Sequence, residues 1–483
     1  MAPETIEDRF EMKVLLVNPP NANKLKFPED ANDFALSTHD LAPPIGLMYI
    51  KAYLKQMVDV DVRLYNFQTP QKPSLNDFHQ YLCLFNPDIV GITVTTFFWY
   101  DVSVILKLIR NVLPEALIVG GGPHMWIYPE ASLGMDRFDI IVQGPGEITF
   151  AEIVTAYKEG KSFNGIDGIL YCKNGTIFKT APPRQIENLD ILPFPDRSDF
   201  DPTQFHRMTD QETATVVAIT SRGCPYNCAF CDNRNRFYRA RRPDCVVKEL
   251  IECKRMGYRG IMFWDEVFTL IKENVLALCN EMIAQKLDMP WGCITRVDCV
   301  DQETIRVMHN AGCNSIFFGV ESGSQHILDQ INKKISLQQS RDAFKICRQE
   351  GIVTGAYFII GLPGETEIEA ENTFHFAEEL SADYININIF FPVPGTALFK
   401  KAADDPHFDS DWWIRYISNP APNQRIALWA TGMNVGRMAS LIKKFYRRYY
   451  LNPRRAINQL KKLKSKTQFP LMARAALHIL LGK

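Results

Sequence analysis

The sequence lacks the features that send a protein into or across a membrane. No run of 18 or more apolar residues occurs among its 483 residues, so we expect no membrane-spanning helix. The first ten residues are acidic and contain no apolar segment of the kind that a signal peptide needs, which predicts a cytoplasmic protein. Its twelve cysteines do not form regular pairs, so they indicate reduced thiols rather than a disulfide framework.

Acidic residues are absent from the end of the sequence. Residues 436–483 include thirteen lysines and arginines and no aspartate or glutamate, although the whole chain has a net charge of −1. Such a segment is typical of contact with nucleic acid or anionic lipid, or of a solvated helix on an acidic body. We expect no nucleic-acid partner. The apolar stretch 469–482 is too short to span a bilayer and predicts at most a peripheral contact with the inner face of a membrane.

The first 160 residues alternate short apolar runs with helical patterns. This alternation predicts an α/β domain of Rossmann-like, flavodoxin-like type, with a parallel sheet covered by helices on both faces. The predicted strands are 13–20, 61–67, 88–94, 116–122 and 139–144. Glycine turns follow two of these strands, where such folds bind ligands, although plain turn chemistry explains them equally well. The residues assigned to this edge are Gly120, Gly121, Gly122, Gly144, Gly146 and Glu147.

The rest of the sequence predicts three further regions. Residues 161–208 lose the alternation and are rich in proline, which indicates a linker. Residues 209–403 resume it with six strand–helix units, which fits a partial (β/α)6 barrel of TIM type with its chemistry at the C-terminal ends of the strands. Residues 404–483 predict a basic helical extension. The six predicted strands are 215–221, 260–266, 291–298, 315–322, 355–361 and 384–391.

Three cysteines, Cys224, Cys228 and Cys231, lie within eight residues directly after the first barrel strand. A structural zinc site needs four ligands, and no fourth cysteine or histidine stands at a suitable spacing. Three thiolates suit three irons of a [4Fe–4S] cluster and leave the fourth iron open to a small molecule. The spacing therefore favours an iron–sulfur cluster, with zinc as the less favoured alternative.

The segment from Cys224 to Cys231 resembles the CxxxCxxC motif of the radical SAM superfamily, with an aromatic residue before the last cysteine. The resemblance extends over residues 213–400. It implies that S-adenosylmethionine (SAM) binds the open iron through its amino and carboxylate groups. It also implies that one electron cleaves SAM to a 5′-deoxyadenosyl radical, which abstracts hydrogen from carbon. The cofactors carry the difficult chemistry, while the protein binds, orients and shields them.

The same resemblance implies contacts to SAM at the ends of the barrel strands. It implies that Phe230 packs beside the adenine and that Asp265 and Glu266 contact the amino group, although the family's Gly-Gly-Glu is absent there. It implies that Arg296 holds the carboxylate in a bidentate manner. The remaining implied contacts are Glu321 and Ser322 for the ribose, and Gly361 and Gly364 as a backbone platform for the adenine.

A Rossmann-like domain ahead of such a barrel resembles the cobalamin-binding radical SAM enzymes, whose class B members are methyltransferases. The resemblance covers nearly the whole chain and implies cobalamin as a cofactor. The cobalamin signature Asp-x-His-x-x-Gly is absent, since the chain reads NPPNANKLKF after the first strand. We therefore expect no protein histidine on cobalt. The segments that carry the resemblance are 18–20, 41–54, 119–124, 144–147 and 447–463, and the histidines of the domain are His39, His79 and His124.

The resemblance implies C-methylation of an unactivated carbon, through the 5′-deoxyadenosyl radical and methylcobalamin. An unreactive C–H bond requires a radical route because no base at neutral pH removes that proton. The alternative is a radical cyclisation, oxidation or rearrangement, for example on a tetrapyrrole or lipid, without methyl transfer. An iron–sulfur sensor or nucleic-acid-binding protein is the non-enzymatic alternative, and salt-dependent, sequence-tolerant binding would favour it.

Aromatic residues near the predicted strand ends indicate an apolar small-molecule substrate, although barrel interiors are generally rich in aromatic residues. The chemistry also requires an electron donor such as a flavodoxin or ferredoxin. The aromatic residues in question are Phe263, Trp264, Trp291, Phe317, Phe318, Phe390 and Phe391.

Overall fold

The computed structural model describes residues 12–26, 43–134, 137–173, 175–207, 210–232, 237–453 and 455. These residues form two compact units. The first unit takes its described residues from 1–26, 40–201 and 411–425, and the second takes them from 202–410 and 426–483. The predicted features at His39 and 469–482 lie outside the described residues.

The first unit is built on a seven-stranded sheet with the strand order β2-β1-β3-β4-β5-β6-β7. The first five strands are parallel, whereas β6 and β7 are antiparallel to their neighbours. The strands are β1 (Lys13–Asn18), β2 (Asp61–Asn66), β3 (Ile89–Thr93), β4 (Leu117–Gly121), β5 (Ile140–Val142), β6 (Ile169–Lys173) and β7 (Thr176–Lys179). The helices are α1 (Ile45–Met57), α2 (Leu75–Phe85), α3 (Trp99–Val112), α4 (His124–Ile127), α5 (Pro129–Ser132) and α6 (Gly146–Lys158).

The order of the parallel strands places a topological switch between β1 and β3. Strand β1 pairs with β2 on one side and with β3 on the other. The connections of the sheet therefore run to one side of β1 first and then to its other side. In open α/β sheets the crevice outside the carboxyl ends of such strands is the usual ligand site. The continuous burial of residues 14–18 reflects helices on both faces, which confirms the predicted α/β sheet.

The predicted linker 161–208 is more structured than expected. Strands β6 and β7 extend the sheet, and their hairpin escaped detection because β7 is exposed and only four residues long. The proline-rich part that follows is held on α1, where the amide of Asp196 donates to the carbonyl of Met48 at 3.1 Å. The buried Lys51 forms ion pairs with Asp196 and Asp199. The described residues of 161–201 are therefore an ordered part of the first unit, whereas the second unit begins at Pro202.

The chain returns to the first unit after the barrel. Helix α14 (Trp412–Ser418) packs there, with Trp413 and Tyr416 fully buried. The indole N–H of Trp99 donates to the carbonyl of Ile417 at 3.0 Å, and the amide of Tyr100 donates to the Tyr416 hydroxyl at 3.2 Å. The sequence predicted one helical extension over 404–483, whereas the structure divides its described part between the two units.

The second unit contains a seven-stranded sheet with the order β16-β15-β14-β13-β12-β9-β8. Six strands are parallel, and the short β8 pairs antiparallel with β9. The strands are β8 (His206–Arg207), β9 (Asp210–Ala218), β12 (Gly260–Phe263), β13 (Trp291–Thr295), β14 (Cys313–Glu321), β15 (Val353–Ile360) and β16 (Tyr384–Ile389), with a separate ribbon of β10 (Ser221–Arg222) and β11 (Arg239–Ala240).

Helices cover one face of this sheet and give a half-barrel with six βα units. Along β14, alternate residues such as Ile316, Phe318 and Val320 enter the core beneath the helices. This arrangement confirms the predicted partial barrel. The helices are α7 (Pro243–Arg255), α8 (Lys272–Ala284), α9 (Gln302–Asn310), α10 (Gln325–Gln330), α11 (Leu337–Gln349), α12 (Glu367–Leu380), α13 (Ala397–Ala403) and α15 (Val435–Tyr450).

Helix α15 covers the open edge that an incomplete barrel leaves at β16. The amide of Ile385 donates to the hydroxyl of Tyr450 at 2.9 Å, and the amide of Ile387 donates to the hydroxyl of Tyr446 at 2.9 Å. These hydroxyls stand in for the next strand, whose absence would otherwise expose unpaired amides. In the described part of the chain, no helix is both long and apolar enough to cross a bilayer.

Candidate active site

The loop that carries the three cysteines leaves the half-barrel at the C-terminal end of β9. Strand β9 ends at Ala218, three residues before the end of the predicted strand, and the ribbon β10–β11 closes the base of the loop. Gly223 adopts a φ of +93°, a conformation that favours glycine, and turns the chain directly into Cys224. The sequence thus folds locally so that the thiols project from the edge where barrel chemistry takes place.

A buried carboxylate anchors the start of this loop. Asp265, just after β12, is 2% exposed. Its Oδ1 accepts from the Thr220 amide at 3.1 Å, the Thr220 hydroxyl at 2.7 Å and the Ser221 hydroxyl at 2.5 Å. Burial raises the pKa of Asp265 to about 6, and the hydrogen bonds from Ser221 and Thr220 oppose that rise. Asp265 therefore fixes the segment just before the cysteines.

The turn after α10 anchors the other side of the loop. The amide of Ala229 donates to the carbonyl of Ile331 at 2.8 Å, and the side chain of Asn332 donates to the carbonyl of Asn227 at 2.6 Å. Asn332 has a φ of +53°, a left-handed conformation that asparagine tolerates better than most residues. This anchor was missed from sequence, because it lies about a hundred residues beyond the cysteines.

The three thiols differ in their exposure. Cys224 and Cys228 are half-buried, and Cys231 is exposed. Burial raises the pKa of the Cys224 thiol, and Cys228 and Glu266 raise it further. Within the described residues, no three histidine, cysteine or acidic side chains converge as ligands of one metal ion would. This observation argues against a site for a single metal ion. It does not argue against a [4Fe–4S] cluster, because each thiolate of such a cluster binds a different iron, and three thiolates on one loop fit that arrangement.

Asp265 and Glu266 occupy different environments. Asp265 is enclosed by Thr220 and Ser221, so the structure gives it a positioning role in place of the predicted SAM contact. Glu266 is exposed and close enough to Cys224 to affect its thiol. Of the two acids, Glu266 is therefore the one available to an amino group beside the cluster.

Arg296, predicted to hold the SAM carboxylate, already has several partners. It is 4% exposed at the end of β13 and grips the Asp298 carboxylate through Nε at 2.9 Å and Nη2 at 3.0 Å. Nη2 also donates to the carbonyl of Lys333 at 2.7 Å, and Nη1 lies 3.8 Å from the Cys228 sulfur. These contacts differ from the predicted grip on SAM and connect Arg296 with the cysteine loop.

Glu321 ends β14 in a strained conformation, with a φ of +68°. Its Oε1 accepts from the ammonium group of Lys333 at 2.6 Å, and both side chains are buried. A Cβ at Gly319 would lie only 2.5 Å from that oxygen, so glycine is required for the pair. The Lys333 ammonium group also lies 5.9 Å from the centre of the Phe230 ring. Lys333 therefore connects Phe230, the predicted adenine contact, with Glu321, the predicted ribose contact. Sequence analysis missed Lys333.

The other predicted ribose contact and the glycine platform are engaged inside the fold. The Ser322 hydroxyl is fully buried and lies 3.2 Å from that of Thr373 on α12. The Gly361 amide donates to Glu365 Oε2 at 2.5 Å, and the Gly364 amide donates to the Thr431 hydroxyl at 3.0 Å. Both amides already have protein partners, so an adenine contact through them stays a prediction.

Glu365 is a buried acid beneath this turn. It is 1% exposed, and its Oε1 has no hydrogen-bond partner among the described residues. Burial raises its pKa to about 8, although the amides of Gly361 and Leu362 oppose the rise. At neutral pH the carboxyl is therefore largely protonated.

In the half-barrel, the face of the sheet opposite the helices carries fewer aromatic residues than the sequence predicted. Phe317, Tyr357 and Tyr384 lie on this face, with ring centres about 6 Å apart between Phe317 and the two tyrosines. By contrast, Phe263, Phe318 and Trp291 are fully buried in the core under the helices. Those three do not line a substrate cavity, which removes part of the sequence argument for an apolar substrate.

In the first unit, most of the predicted cofactor-binding glycines are explained by packing. A Cβ at Gly120 would lie 2.8 Å from Met125 Cε, and one at Gly122 would lie 2.9 Å from the backbone of Val94. A Cβ at Gly144 would clash with Pro183, and one at Gly146 would press on Ile50. The remaining predicted residue, Glu147, is 3% exposed in the first turn of α6.

Gly121 is the exception. A Cβ at Gly121 would meet no atom of the described residues within 4 Å, and the residue ends β4 at the carboxyl edge of the sheet. Packing does not require a glycine here, and the position of Gly121 at the carboxyl edge of the sheet is where a glycine lets a bulky ligand approach the backbone. The edge is therefore compatible with cobalamin, with Gly121 as the residue that leaves room for it.

His124 is not available as a cobalt ligand in this structure. It is fully buried, with Nδ1 2.9 Å from the Thr96 hydroxyl and Nε2 3.1 Å from that of Ser132. Burial lowers its pKa to about 3, and it stacks on Trp99 at 4.5 Å. Because both ring nitrogens have partners, His124 acts as a core residue. His79 is exposed on α2.

The sequence matches the models of two protein families. Residues 218–377 match the radical SAM superfamily, and residues 33–154 match the B12 binding domain. The first match contains the cysteine loop and its anchors, and the second contains the glycine edge. The two sites thus define an enzyme class with a radical SAM half-barrel and a cobalamin-binding domain.

The chain belongs to this family of B12-binding radical SAM enzymes, whose cofactors are a [4Fe–4S] cluster, SAM and cobalamin. It is 32% identical to an uncharacterized methyltransferase of Pyrococcus horikoshii, over 93% of this chain and 95% of that protein. It is 28% identical to the anaerobic magnesium-protoporphyrin IX monomethyl ester cyclase of Rubrivivax gelatinosus, over 85% and 74% of the two chains.

The fold is also found in a solved structure. The radical S-adenosylmethionine methyltransferase TsrM from Kitasatospora setae, with cobalamin and a [4Fe–4S] cluster bound, superimposes with a TM-score of 0.72 over 90% of each chain. The sequences are 18% identical, so this likeness concerns the fold alone.

We expect the substitution Gly121→Val to block cobalamin without unfolding the first unit. The new side chain would enter open space at the strand edge, where it would occupy volume that the corrin needs. Cobalt content after anaerobic reconstitution should fall at least about tenfold, with an unchanged thermal midpoint. Gly165→Val, at an exposed glycine with equally open surroundings, serves as the matched control and should retain cobalt. Full cobalt in the Gly121 variant would contradict the assignment.

We expect Asp265→Ala to impair cluster assembly although all three thiols remain. The change leaves the donors of Thr220 and Ser221 buried without their acceptor, which costs about 1–3 kcal/mol for each lost bond. Iron per chain after reconstitution should decrease severalfold. The exposed Asp342→Ala provides the control, and a variant at Asp265 with normal iron would show that the loop needs no such anchor.

We expect Glu365 to make stability depend on pH. Between pH 4.5, where the unfolded carboxyl ionises, and about 8, where the folded one does, only the folded chain retains the proton. Raising the pH through this range therefore lowers the free energy of unfolding, by at most about 1.4 kcal/mol per pH unit. Thermal midpoints measured from pH 5 to 8.5 should fall less in Glu365→Gln than in the wild type. Parallel curves would contradict the assignment.

Proposed function

We propose that this chain is a cobalamin-dependent radical SAM enzyme that methylates an unactivated carbon of a small molecule. The observation that carries the proposal is the loop of Cys224, Cys228 and Cys231, which has three thiols and is fixed at the catalytic edge of a half-barrel. The unfilled edge at Gly121 adds a place for the second cofactor. The methyltransferase of Pyrococcus horikoshii, similar over nearly its full length, favours methyl transfer.

The chain's own residues bind and orient these cofactors. When bound, the cluster and SAM supply a carbon-centred radical, and cobalamin carries the methyl group. Cys224, Cys228 and Cys231 would hold three irons, which leaves the fourth open. Glu266 stands near Cys224 for an amino group of SAM. Glu321 would contact its ribose, and the Lys333 that pairs with Glu321 lies 5.9 Å from the centre of the Phe230 ring. Phe230 would then pack against the adenine.

The substrate proposal extends to an apolar or amphipathic molecule. Phe317, Tyr357 and Tyr384 supply an aromatic surface on the sheet face opposite the helices. On the same face, Asn386 Oδ1 is buried without a partner among the described residues, so it is available to a donor group of the substrate. An electron donor such as a flavodoxin or ferredoxin, a cytoplasmic location and a peripheral membrane contact belong to the same proposal.

A cyclisation or oxidation without methyl transfer is the second candidate. The cyclase of Rubrivivax gelatinosus, similar over 85% of this chain, favours it. Both reactions use the same cluster and SAM, so the site geometry does not separate them. The product separates them, since methylation adds one carbon to the substrate and the methyl group comes from SAM.

The decisive experiment begins with the full chain, purified without oxygen and supplied with cobalamin. Iron near four per chain together with bound cobalt is expected. Replacement of Cys224, Cys228 or Cys231 by alanine should abolish the cluster and all SAM cleavage, because each thiolate holds one iron. Cys245→Ala, at a cysteine on α7, is the matched control and should retain both. Retained SAM cleavage in any loop variant would overturn the proposal.

Methyl transfer is tested on the same preparation with SAM labelled at its methyl group. Extracts of small metabolites and lipids should gain a labelled product only with the wild-type chain and reductant. An unlabelled product that is lighter than the substrate by the mass of the lost hydrogen would contradict methyl transfer and favour the second candidate.

A further inference from the structure

The guanidinium group of Arg296 lies directly against the cysteine loop. Its central carbon is 3.6 Å from the centre of the Tyr226 ring. Tyr226 is the middle one of the three residues between Cys224 and Cys228. Nη1 donates toward the Cys228 sulfur at 3.8 Å. The Tyr226 hydroxyl in turn lies 3.2 Å from the Cys299 sulfur, so the ring is held from both sides.

Most of the donors on Arg296 are already in use. Arginine has five N–H groups, and four of them serve the two oxygens of Asp298, the carbonyl of Lys333 and the sulfur of Cys228. At most one remains. A bidentate grip on a carboxylate needs two parallel donors, so Arg296 cannot give one to SAM without releasing a buried partner.

We infer that Arg296 is a positioning residue of the iron–sulfur cluster that raises its reduction potential, in place of a SAM-binding residue. The inference rests on the cluster of the proposed function and is independent of methyl transfer. It concerns Arg296 and Asp298, which lie outside the CxxxCxxC motif, and Tyr226, which occupies one of its variable positions.

The physical reason is the charge that the cluster gains on reduction. An added electron makes the thiolate ligands more negative, and a cation with an N–H directed at a ligand sulfur stabilises that state more than the oxidised one. Outer partners of this kind also orient the ligand itself. Arg296 is buried, so solvent screens its charge little. Asp298 keeps the guanidinium plane in place through two parallel bonds.

The stacked ring of Tyr226 makes the arrangement specific for arginine. A planar guanidinium covers an aromatic face and directs its N–H groups sideways at the same time, which a lysine ammonium does not do. Arg296→Lys therefore keeps a positive charge and loses the directed hydrogen bond. Its midpoint should lie between those of the wild type and Arg296→Gln.

The test is a redox titration of the full chain with its reconstituted cluster and cobalamin, followed by electron paramagnetic resonance without SAM. Loss of a hydrogen bond to a charged partner corresponds to about tenfold in the reduction equilibrium, or about 59 mV toward negative potential for one electron, in Arg296→Gln. Asp298→Asn keeps the arginine and removes the negative charge beside it, so its midpoint should shift toward positive potential. Arg306→Gln, at an exposed arginine on α9, should leave it unchanged.

The affinity for SAM is measured on the same samples, from the change that SAM causes in the resonance signal. An unchanged midpoint in Arg296→Gln together with weaker SAM binding would overturn the inference and restore the carboxylate contact predicted from sequence. If Arg296→Gln assembles no cluster, the Arg296→Lys variant decides the question, because a midpoint equal to that of the wild type would overturn the inference. A wild-type chain without a cluster would instead refute the proposed function itself.

Discussion

The carboxylate of Asp265 is the constraint on which the candidate active site depends. It receives its hydrogen bonds from Thr220 and Ser221, two residues before the turn at Gly223 that leads into Cys224. A loop of three cysteines has no regular structure of its own, and each thiol must reach a different iron. The parallel sheet supplies rigidity, and Asp265 transmits it to the loop because β12 and β9 are hydrogen-bonded neighbours. The same logic applies at Asn332, which ties the far side of the loop to the end of another βα unit.

An incomplete barrel creates a second constraint, since its last strand has no partner. Helix α15 meets this requirement with two tyrosine hydroxyls that accept the exposed amides of β16. The basic residues of α15 are partly compensated from the neighbouring α12, where Arg437 pairs with Glu367 and Arg448 with Glu378. For the described part of the basic segment, the solvated helix that packs on acidic residues is therefore the better interpretation. The pairs between these exposed side chains each contribute little to stability.

Local patterns in the sequence predicted the succession of strands and helices along the chain and the cysteine loop, because alternating apolar runs and a short motif are both recognisable within a few residues. The placement of Cys224, Cys228 and Cys231 after the first barrel strand followed from these patterns alone. The partners of Arg296 could not be predicted in this way. Asp298 is close to it in sequence, but Lys333 and Cys228 meet Arg296 only through the packing of several βα units. Lys333 was missed for the same reason. Gly319 could have indicated it, as a glycine inside a buried strand often marks a close approach of another group.

The glycines of the first unit show why motif residues and site residues differ. Gly120 and Gly122 belong to a resemblance that implied cobalamin, yet Met125 and the backbone of Val94 already account for them. Gly121 differs from them because no close atom accounts for it, and it differs from the equally open Gly165 because it ends a strand at the carboxyl edge of the sheet. The sequence contains no information about the space around either glycine. The argument applies equally to Glu321 in the second unit. Its left-handed backbone is unfavourable by about 1–3 kcal/mol, and the buried pair with Lys333 holds it there. Strain that the surrounding fold maintains at the mouth of a barrel is evidence for a role in binding, whereas the fully satisfied Ser322 beside it requires no such explanation.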